Sequence, residues 1–349
     1  DCFKLHRVYD FYNRIVTNPK EEEGCHSCPE FKELWTLQTC HGSFLCVDKC
    51  NHNMLTTADY PIFWTVDGEL LTLKCTRDTP MRRNYYHKFW LNQNLDYNRK
   101  MREKYLQFDN TLPLMNILEA LDVAKSRSWL RFHRGDNTKD LSLRSFLFHC
   151  AETARLLGQP DWVQLIALLH DLGRLVPIMA RTTGIDSQEF DWTLSSTATV
   201  VGCANPLSAK FPAYQILNSD RNNEQYNTDL GIYEEHCGLK NVLLSWSGSE
   251  YLYFMLKHNS VGIPEEGLAM LRFLPLKDWY KSSGIEHYQQ LTDETDDDLK
   301  LFVSDFQRLI THGKKTFLKD LCDYDCNRLW EQFYHPICKK YQCDSKLQW

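Results

Sequence analysis

An adjacent histidine and aspartate, His170 and Asp171, are the residues whose types and spacing most directly suggest chemistry. A neighbouring imidazole and carboxylate can hold a metal ion, with the carboxylate bridging to a second ion. The pair lies near the end of residues 160–174, where apolar side chains recur at helical spacing and Gly173 marks a helix stop. A capping or salt-bridging role is the alternative, because a His-Asp dipeptide by itself is a weak signal.

Composition places the chain among globular proteins. Of its 349 residues 43% are hydrophobic and 13% are aromatic, which is far from the composition of disordered chains. The net charge of −6 does not indicate the basic surface that nucleic-acid-binding proteins carry. No apolar run approaches the roughly 18 residues that a membrane-spanning helix needs. We therefore expect no nucleic-acid partner and no membrane partner.

Fourteen cysteines are distributed unevenly, with seven before residue 80 and four after residue 320. Cys25 and Cys28 form a C-x-x-C pair that could open a zinc ribbon, but no second such pair completes it. Disulfides are the favoured interpretation, and they indicate an oxidising compartment. The chain also begins at Asp1-Cys2, as a mature chain does after removal of a signal peptide. We expect a secreted, extracellular protein.

The residue pattern changes along the chain and predicts two parts. Residues 1–78 are expected to form a disulfide-rich module, with a β-hairpin turning at Asp67-Gly68. Residues 79–349 are expected to be a mainly α body with a loop-rich segment at 184–240. The helical periodicities run over Leu114 to Ala124, Leu143 to Leu157, Trp162 to Leu172, Tyr251 to His258, Glu265 to Phe273 and Leu299 to Ile310.

A series of short segments runs in one order along residues 80–349. It comprises Arg83-Asn-Tyr85, Ile117-Leu-Glu-Ala-Leu-Asp122, Ala151-Glu152, Asp161-Trp162, His170-Asp-Leu-Gly173, Val201-Gly-Cys203, Asn227-Thr-Asp-Leu-Gly-Ile-Tyr233, His236-Cys-Gly-Leu239, Val242-Leu-Leu-Ser-Trp246, Glu250-Tyr-Leu-Tyr253, Met270-Leu-Arg-Phe273 and Trp349. In this order the segments resemble the myo-inositol oxygenase family, an iron-dependent member of the HD-domain superfamily. The resemblance implies a distorted HD-type helical body. It has no counterpart for residues 1–78.

The family's chemistry, as the resemblance implies, needs two irons held by four His and two Asp residues. His170 and Asp171 match two of these six ligands, and Arg174 stands where the family has a substrate-orienting Lys. The other four ligand positions hold Phe146, Gly248, Leu274 and Ile310. Because these side chains donate nothing to iron, we interpret the site as refilled with packing, and we expect no metal and no cofactor.

Two local rearrangements follow from that interpretation. Asp171 needs a new partner, and Arg174 lies at the i,i+3 spacing that allows an ion pair. Alternatively, His149 could join His170 and Asp171 in the two-His-one-carboxylate set of a mononuclear iron site.

The resemblance also bears on the cysteines. Cys203 and Cys237 lie where intracellular family members also carry cysteine, so these two are expected to be free thiols. The remaining eleven together with Cys150 could then form six disulfide bridges.

Three functions remain open. The first is a remodelled pocket that binds a small, apolar or aromatic organic ligand, lined by Phe146, His149, His170, Arg174, Gly248, Leu274 and Ile310. The second is a metal-independent, luciferase-like oxygenase whose substrate itself reduces O₂, with His170, Asp171 and Arg174 as the catalytic groups. The third is a structural or partner-binding protein with a filled pocket. A cavity of a few hundred Å³ beside His170 would favour the first two functions.

Overall fold

The computed structural model describes most of the chain beyond residue 80 and four strands before it. The described residues are 34–38, 44–48, 62–64, 70–72, 80–114, 118–119, 131–134, 137–176, 192, 197–206, 209, 211–280, 287–320, 324–344 and 346–349. Of these, the residues before 85, residues 131–142, and positions 175 and 318–320 are described by their backbone alone. The chain divides into two compact units, residues 1–88 with 211–214 and residues 89–210 with 215–349. The predicted boundary between residues 78 and 79 remains a prediction.

Four short strands form an antiparallel sheet in chain order in the first unit. They are β1 (Leu34–Gln38), β2 (Phe44–Asp48), β3 (Ile62–Trp64) and β4 (Leu70–Thr72). Strands β3 and β4 pair antiparallel with Ile62 opposite Thr72, on either side of the predicted turn. The β-hairpin module stays a prediction. Its turn at Asp67-Gly68 and the cysteine side chains before residue 80 lie outside the described residues. The disulfide-rich character of this region therefore stays a prediction.

The rest of the described chain is mainly helical, as expected. Its helices are α1 (Pro80–Asn92), α2 (Leu95–Tyr105), α3 (Leu143–Leu156), α4 (Asp161–Leu169), α5 (Gly248–His258), α6 (Glu265–Phe273), α7 (Lys277–Tyr280), α8 (Glu294–Asp320), α9 (Cys326–Leu329) and α10 (His335–Lys340). Two antiparallel strand pairs complete the elements: β5 (Thr111–Pro113) with β8 (Lys346–Gln348), and β6 (Arg131–Arg134) with β7 (Asn137–Ser142). The described part of the loop-rich segment contains short 3-10 turns rather than long helices.

Several helix starts carry local signals that the sequence alone shows. Ser247 caps α5, because its hydroxyl accepts from the Glu250 N–H. Helix α8 begins within the acidic run 293–298, where negative charge favours a helix N-terminus. It continues to Asp320, ten residues beyond the predicted end at Ile310. Of the predicted helix from Leu114 to Ala124, most residues lie outside the described part of the chain.

The core forms where α3 packs against α4 and α8, and where α5 packs against α6. In α4 every residue from Val163 to Leu169 is buried, so this helix runs through the centre of the unit. The predicted helix from Trp162 to Leu172 instead ends at Leu169, and a 3-10 turn follows at Leu172–Leu175. His170 and Asp171 lie between the two. Among the described residues, none of the helices combines the length and the apolarity that crossing a membrane demands.

Candidate functional site

Helix α4 and the 3-10 turn after it place the histidine and aspartate of the site. Gly173 in this turn lies directly against Gly248, the first residue of α5: a Cβ at Gly173 would sit 2.1 Å from the Gly248 carbonyl oxygen. No side chain can occupy that space. The glycine therefore lets the ends of α4 and α5 meet, and this contact brings together two positions that are 75 residues apart in the chain.

The buried ion cluster of Glu250, Arg272 and Arg102 holds the start of α5 in place. Glu250 is fully buried and accepts from Arg272 Nε at 2.8 Å and from Arg102 Nη2 at 2.6 Å. Arg272 also donates to the carbonyl of Val242 at 2.8 Å, in the loop that leads into α5. The carboxylate thus carries an ion pair to each guanidinium group, and pairing of this kind is what a buried charge requires. Sequence reasoning missed this cluster, although Glu250 and Arg272 lie within segments quoted above.

His170 is enclosed by protein. Its side chain is 5% exposed, and its Nδ1 lies 2.8 Å from the Ala167 carbonyl oxygen. Because a carbonyl only accepts, Nδ1 carries the proton, and the lone pair lies on Nε2. Burial lowers the pKa of His170, although the negative charge of Asp171 works in the opposite direction. The imidazole is therefore neutral at neutral pH.

Aromatic rings occupy the space around that imidazole. Phe146 of α3 lies 5.7 Å from the His170 ring centre, edge to face, and Phe306 of α8 lies at 6.5 Å. Phe317 in turn packs against Phe146 at 5.5 Å. All three phenylalanines are buried. The resemblance assigns position 146 to a metal ligand. The phenylalanine at this position packs against His170, the one histidine that matches the family's ligand set.

Asp171 and Arg174 form the ion pair that their spacing predicts, and this prediction is confirmed. Arg174 Nε lies 3.1 Å from Asp171 Oδ2, and the two side chains are 23% and 25% exposed. Burial raises the pKa of Asp171, but the charge of Arg174, aided by His170 and Lys314, more than offsets it and holds the pKa below its usual value. Lys314, on α8, is a charged neighbour that sequence reasoning did not identify.

The three remaining positions of the predicted set also lie in the same unit. Gly248 opens α5 next to Gly173, as described above. Ile310 is buried on α8, and Leu274 is half-buried directly after α6. Both pack into the common apolar core. None of these side chains carries a nitrogen, oxygen or sulfur atom that could bind a metal.

His149 is engaged by two hydroxyl groups. Its Nδ1 lies 2.8 Å from the Tyr324 hydroxyl and its Nε2 lies 2.7 Å from the Thr316 hydroxyl. With both ring nitrogens engaged by hydroxyl groups, the ring has no free donor for iron. Among the described residues, no three His, Cys, Asp or Glu side chains group as metal ligands. The geometry therefore does not favour the mononuclear iron alternative.

The cysteines of this region are thiols. Cys203 and Cys237 are free, which confirms the expectation for this pair. Cys150 is also a free, fully buried thiol, and Cys326, Cys338 and Cys343 are free as well, so the six bridges predicted for this set are not all formed in the structure. Burial raises the pKa of the Cys150 thiol, and the nearby negative charge of Asp171 raises it further.

One cavity among the described residues is lined by Phe306 and not by His170. It has a volume of about 510 Å³ and opens between the start of α4, α6 and α8. Its apolar wall is made by Trp162, Val163, Met270, Phe302, Phe306 and Leu309. A second cavity of about 270 Å³ is lined by more polar residues, Trp279, His287 and Lys300 among them. Neither cavity is lined by His170, Asp171 or Arg174.

Phe306 is shared by the larger cavity and the imidazole. It lines the cavity, and its ring also meets His170 edge to face. Gly267 of α6 allows Trp162 to form the opposite wall, because a Cβ there would already lie 3.1 Å from the indole ring. Asp305, Arg308 and His312 lie among the cavity's polar residues. The arrangement is an apolar pocket with polar groups at a few points, which suits an apolar or aromatic molecule.

Comparisons with known proteins agree with the segments quoted above. The family model described as myo-inositol oxygenase matches residues 80–349. Inositol oxygenase of Danio rerio is 31% identical over 272 residues, which cover 76% of this chain and 88% of the relative. Inositol oxygenase of Homo sapiens is 30% identical over 268 residues, 76% of this chain and 85% of that protein. Inositol oxygenase 5 of Arabidopsis thaliana is 32% identical over 212 residues, 60% of this chain and 64% of the relative.

Proposed function

This chain belongs to the myo-inositol oxygenase family, and from that premise we propose that it has lost the di-iron centre and binds a small apolar or aromatic organic molecule. The cavity of about 510 Å³ beside Phe306 is the observation that carries the binding function. The proposal includes an extracellular location, which the distribution of the cysteines supports.

The donor set of this chain does not fit a pair of irons. Iron of this kind requires imidazole and carboxylate donors. His170 and Asp171 could supply two, but Asp171 is already paired with Arg174. The other four positions supply no donor. We therefore derive no reaction step through iron for this chain.

Charge balance supports the same conclusion. A carboxylate that once faced metal cations needs another positive charge when the cations are gone, because an unpaired buried charge costs several kcal/mol. Arg174 supplies this charge at 3.1 Å, with Lys314 as a second cation acting on Asp171. The ion pair therefore balances the charge of Asp171, just after the end of α4, without a metal.

The larger cavity supports binding of an organic guest. Its volume falls in the range of small-molecule sites, which are mostly apolar with a few polar groups that orient the ligand. Trp162, Phe302 and Phe306 offer aromatic faces, and Phe302 is 45% exposed at the opening. Aromatic faces of this kind favour stacked or edge-to-face contact with an aromatic guest.

The described geometry does not favour the metal-independent oxygenase. A catalytic base must come within hydrogen-bond reach of its substrate. His170 lines neither of the described cavities and is ringed by Phe146 and Phe306.

Metal analysis tests the first half of the proposal. The full chain is purified from iron-supplemented cells and its iron content is measured by mass spectrometry. We expect well below one iron per chain, because four of six donors are missing. Stoichiometric iron that survives dialysis would overturn the loss of the centre.

Binding of an aromatic probe tests the second half. The probe is 1-anilino-8-naphthalenesulfonate, followed by its own fluorescence and by quenching of the protein's tryptophan fluorescence. Phe302→Asp should weaken binding about tenfold, which corresponds to about 1.4 kcal/mol of lost contact and added charge repulsion. The matched control is Ile216→Asp, because Ile216 is also a large exposed apolar residue, at 66%, but does not line the cavity. Equal effects of the two substitutions, or none from either, would refute this binding site.

A further inference from the structure

The last helix of the chain ends in a Schellman motif. The Cys343 N–H donates to the Cys338 carbonyl at 2.7 Å, and the Gln342 N–H donates to the Lys339 carbonyl at 3.2 Å. Gln342 has φ +60°, the left-handed conformation that this motif requires at the position after the helix cap. Glycine is the usual residue there, since a side chain in this conformation is unfavourable. The glutamine at this position therefore adopts a strained backbone conformation in the turn.

The motif brings two cysteines together. In a Schellman motif the residue that donates the outer hydrogen bond packs its side chain against the residue that accepts it. Those residues are Cys343 and Cys338 here, and both side chains are fully buried. Burial raises the pKa of the Cys338 thiol, and Cys343 raises it further, as expected of neighbouring thiols. The Cys343 thiol lies 3.5 Å from the Tyr341 carbonyl oxygen.

We propose that Cys338 and Cys343 are a disulfide-forming pair, and that the structure shows its reduced form. In the oxidation, two S–H bonds break and one S–S bond forms. The two protons and two electrons pass to the disulfide of a thiol oxidoreductase, which becomes a dithiol. Because both thiols are buried and protonated in the folded chain, the reaction takes place during folding, while the segment is still open.

The bridge would stabilise the C-terminal end of the chain. Directly after Cys343 the chain enters β8, which pairs with β5. Trp349 then exchanges backbone hydrogen bonds with Asn110, at 2.6 and 3.2 Å. A covalent link across the turn fixes the strained Gln342 conformation and, with it, the path into β8.

Peptide mapping tests the pair directly. The full chain is expressed through a secretory pathway, denatured with N-ethylmaleimide without reductant, digested with trypsin and analysed by mass spectrometry. The two cysteines fall in separate peptides, residues 329–339 and residues 341–346. We expect these peptides to be cross-linked and to separate on reduction. Cys203 and Cys237 are the internal controls and should both be alkylated.

Two outcomes of that experiment would overturn the proposal: alkylation of Cys338 and Cys343, or a bridge from either one to another cysteine. Thermal unfolding gives a second measurement. Cys338→Ala/Cys343→Ala should lower Tm by about 4 °C relative to wild type under oxidising conditions, and by much less in reductant. An equal difference under both conditions would assign the effect to lost packing and refute a stabilising bridge.

Discussion

The ion pair between Asp171 and Arg174 is the contact that replaces metal charge in our interpretation, and a double-mutant cycle tests its strength. The variants are Asp171→Asn, Arg174→Met and the double variant, each of similar size to the original side chain. We expect Arg174→Met to be the more destabilising single change, because it leaves a carboxylate with less compensating charge. Asp171→Asn leaves an arginine whose side chain is 23% exposed and can reach water.

The separation of the two groups sets the magnitude. At 3.1 Å, two unit charges attract by about 5 kcal/mol at an effective dielectric constant near 20, and by about 1 kcal/mol in water. Side chains that keep about a quarter of their surface exposed lie between these limits. Desolvation and loss of side-chain freedom offset most of the attraction. We therefore expect a coupling free energy of about 1–2 kcal/mol.

Urea unfolding of the four proteins at pH 7 measures this coupling. Lys257–Glu265 is the matched control, because its separation is 2.9 Å but its side chains are 42% and 70% exposed. An exposed pair should give about 0.5 kcal/mol or less. A coupling for Asp171–Arg174 no larger than that of the control would refute the idea that this pair stands in for metal charge.

The pH dependence of the same cycle has a defined sign. Because Arg174 holds the pKa of Asp171 below its usual value, the pair stabilises the fold above the unfolded pKa of about 3.9. This stabilisation is lost as the pH falls below that value and Asp171 takes up a proton. The coupling should therefore decrease between pH 5 and pH 3.

Three further substitutions test the surroundings of the site. Gly173→Ala should destabilise the fold by about 2–4 kcal/mol in urea unfolding, because its Cβ would overlap the Gly248 carbonyl. Gly262→Ala is its control, since a Cβ there meets nothing closer than 3.5 Å, and a similar loss in both variants would contradict the proposed contact. His149→Leu should cost about 1–3 kcal/mol by removing two side-chain hydrogen bonds, without changing metal content; lost iron in this variant would revive the mononuclear site. Glu152→Gln should cost roughly 1–2 kcal/mol of unfolding free energy at pH 7 and little at pH 3. The reason is that hydrogen bonds and charge hold the pKa of this buried carboxyl below its usual value despite desolvation. A loss of stability that does not depend on pH would contradict this role.

Much of the architecture could be predicted from local sequence signals. The helical periodicity at 143–157 became α3, and the Asp67-Gly68 dipeptide lies between two strands that pair. The spacing of Asp171 and Arg174 led to the correct ion pair. These features depend on residues close together in the chain, where periodicity, turn preference and side-chain reach already determine the outcome.

The sequence could also show which donors were missing at the family's ligand positions, since side-chain chemistry is readable position by position. It could not show where His149 is directed, because its partners Thr316 and Tyr324 are more than 160 residues away. Nor could it place the cavity, whose lining includes none of the seven residues of the predicted pocket.

The chain's own sequence thus determined its family, its helical character and the residue types at the candidate site, because each follows from residue types and short spacings. Only the tertiary structure decided what packs around His170 and where space remains. Packing among α3, α4, α6 and α8 depends on residues distant in the chain, and close packing leaves voids only where those helices fail to interdigitate.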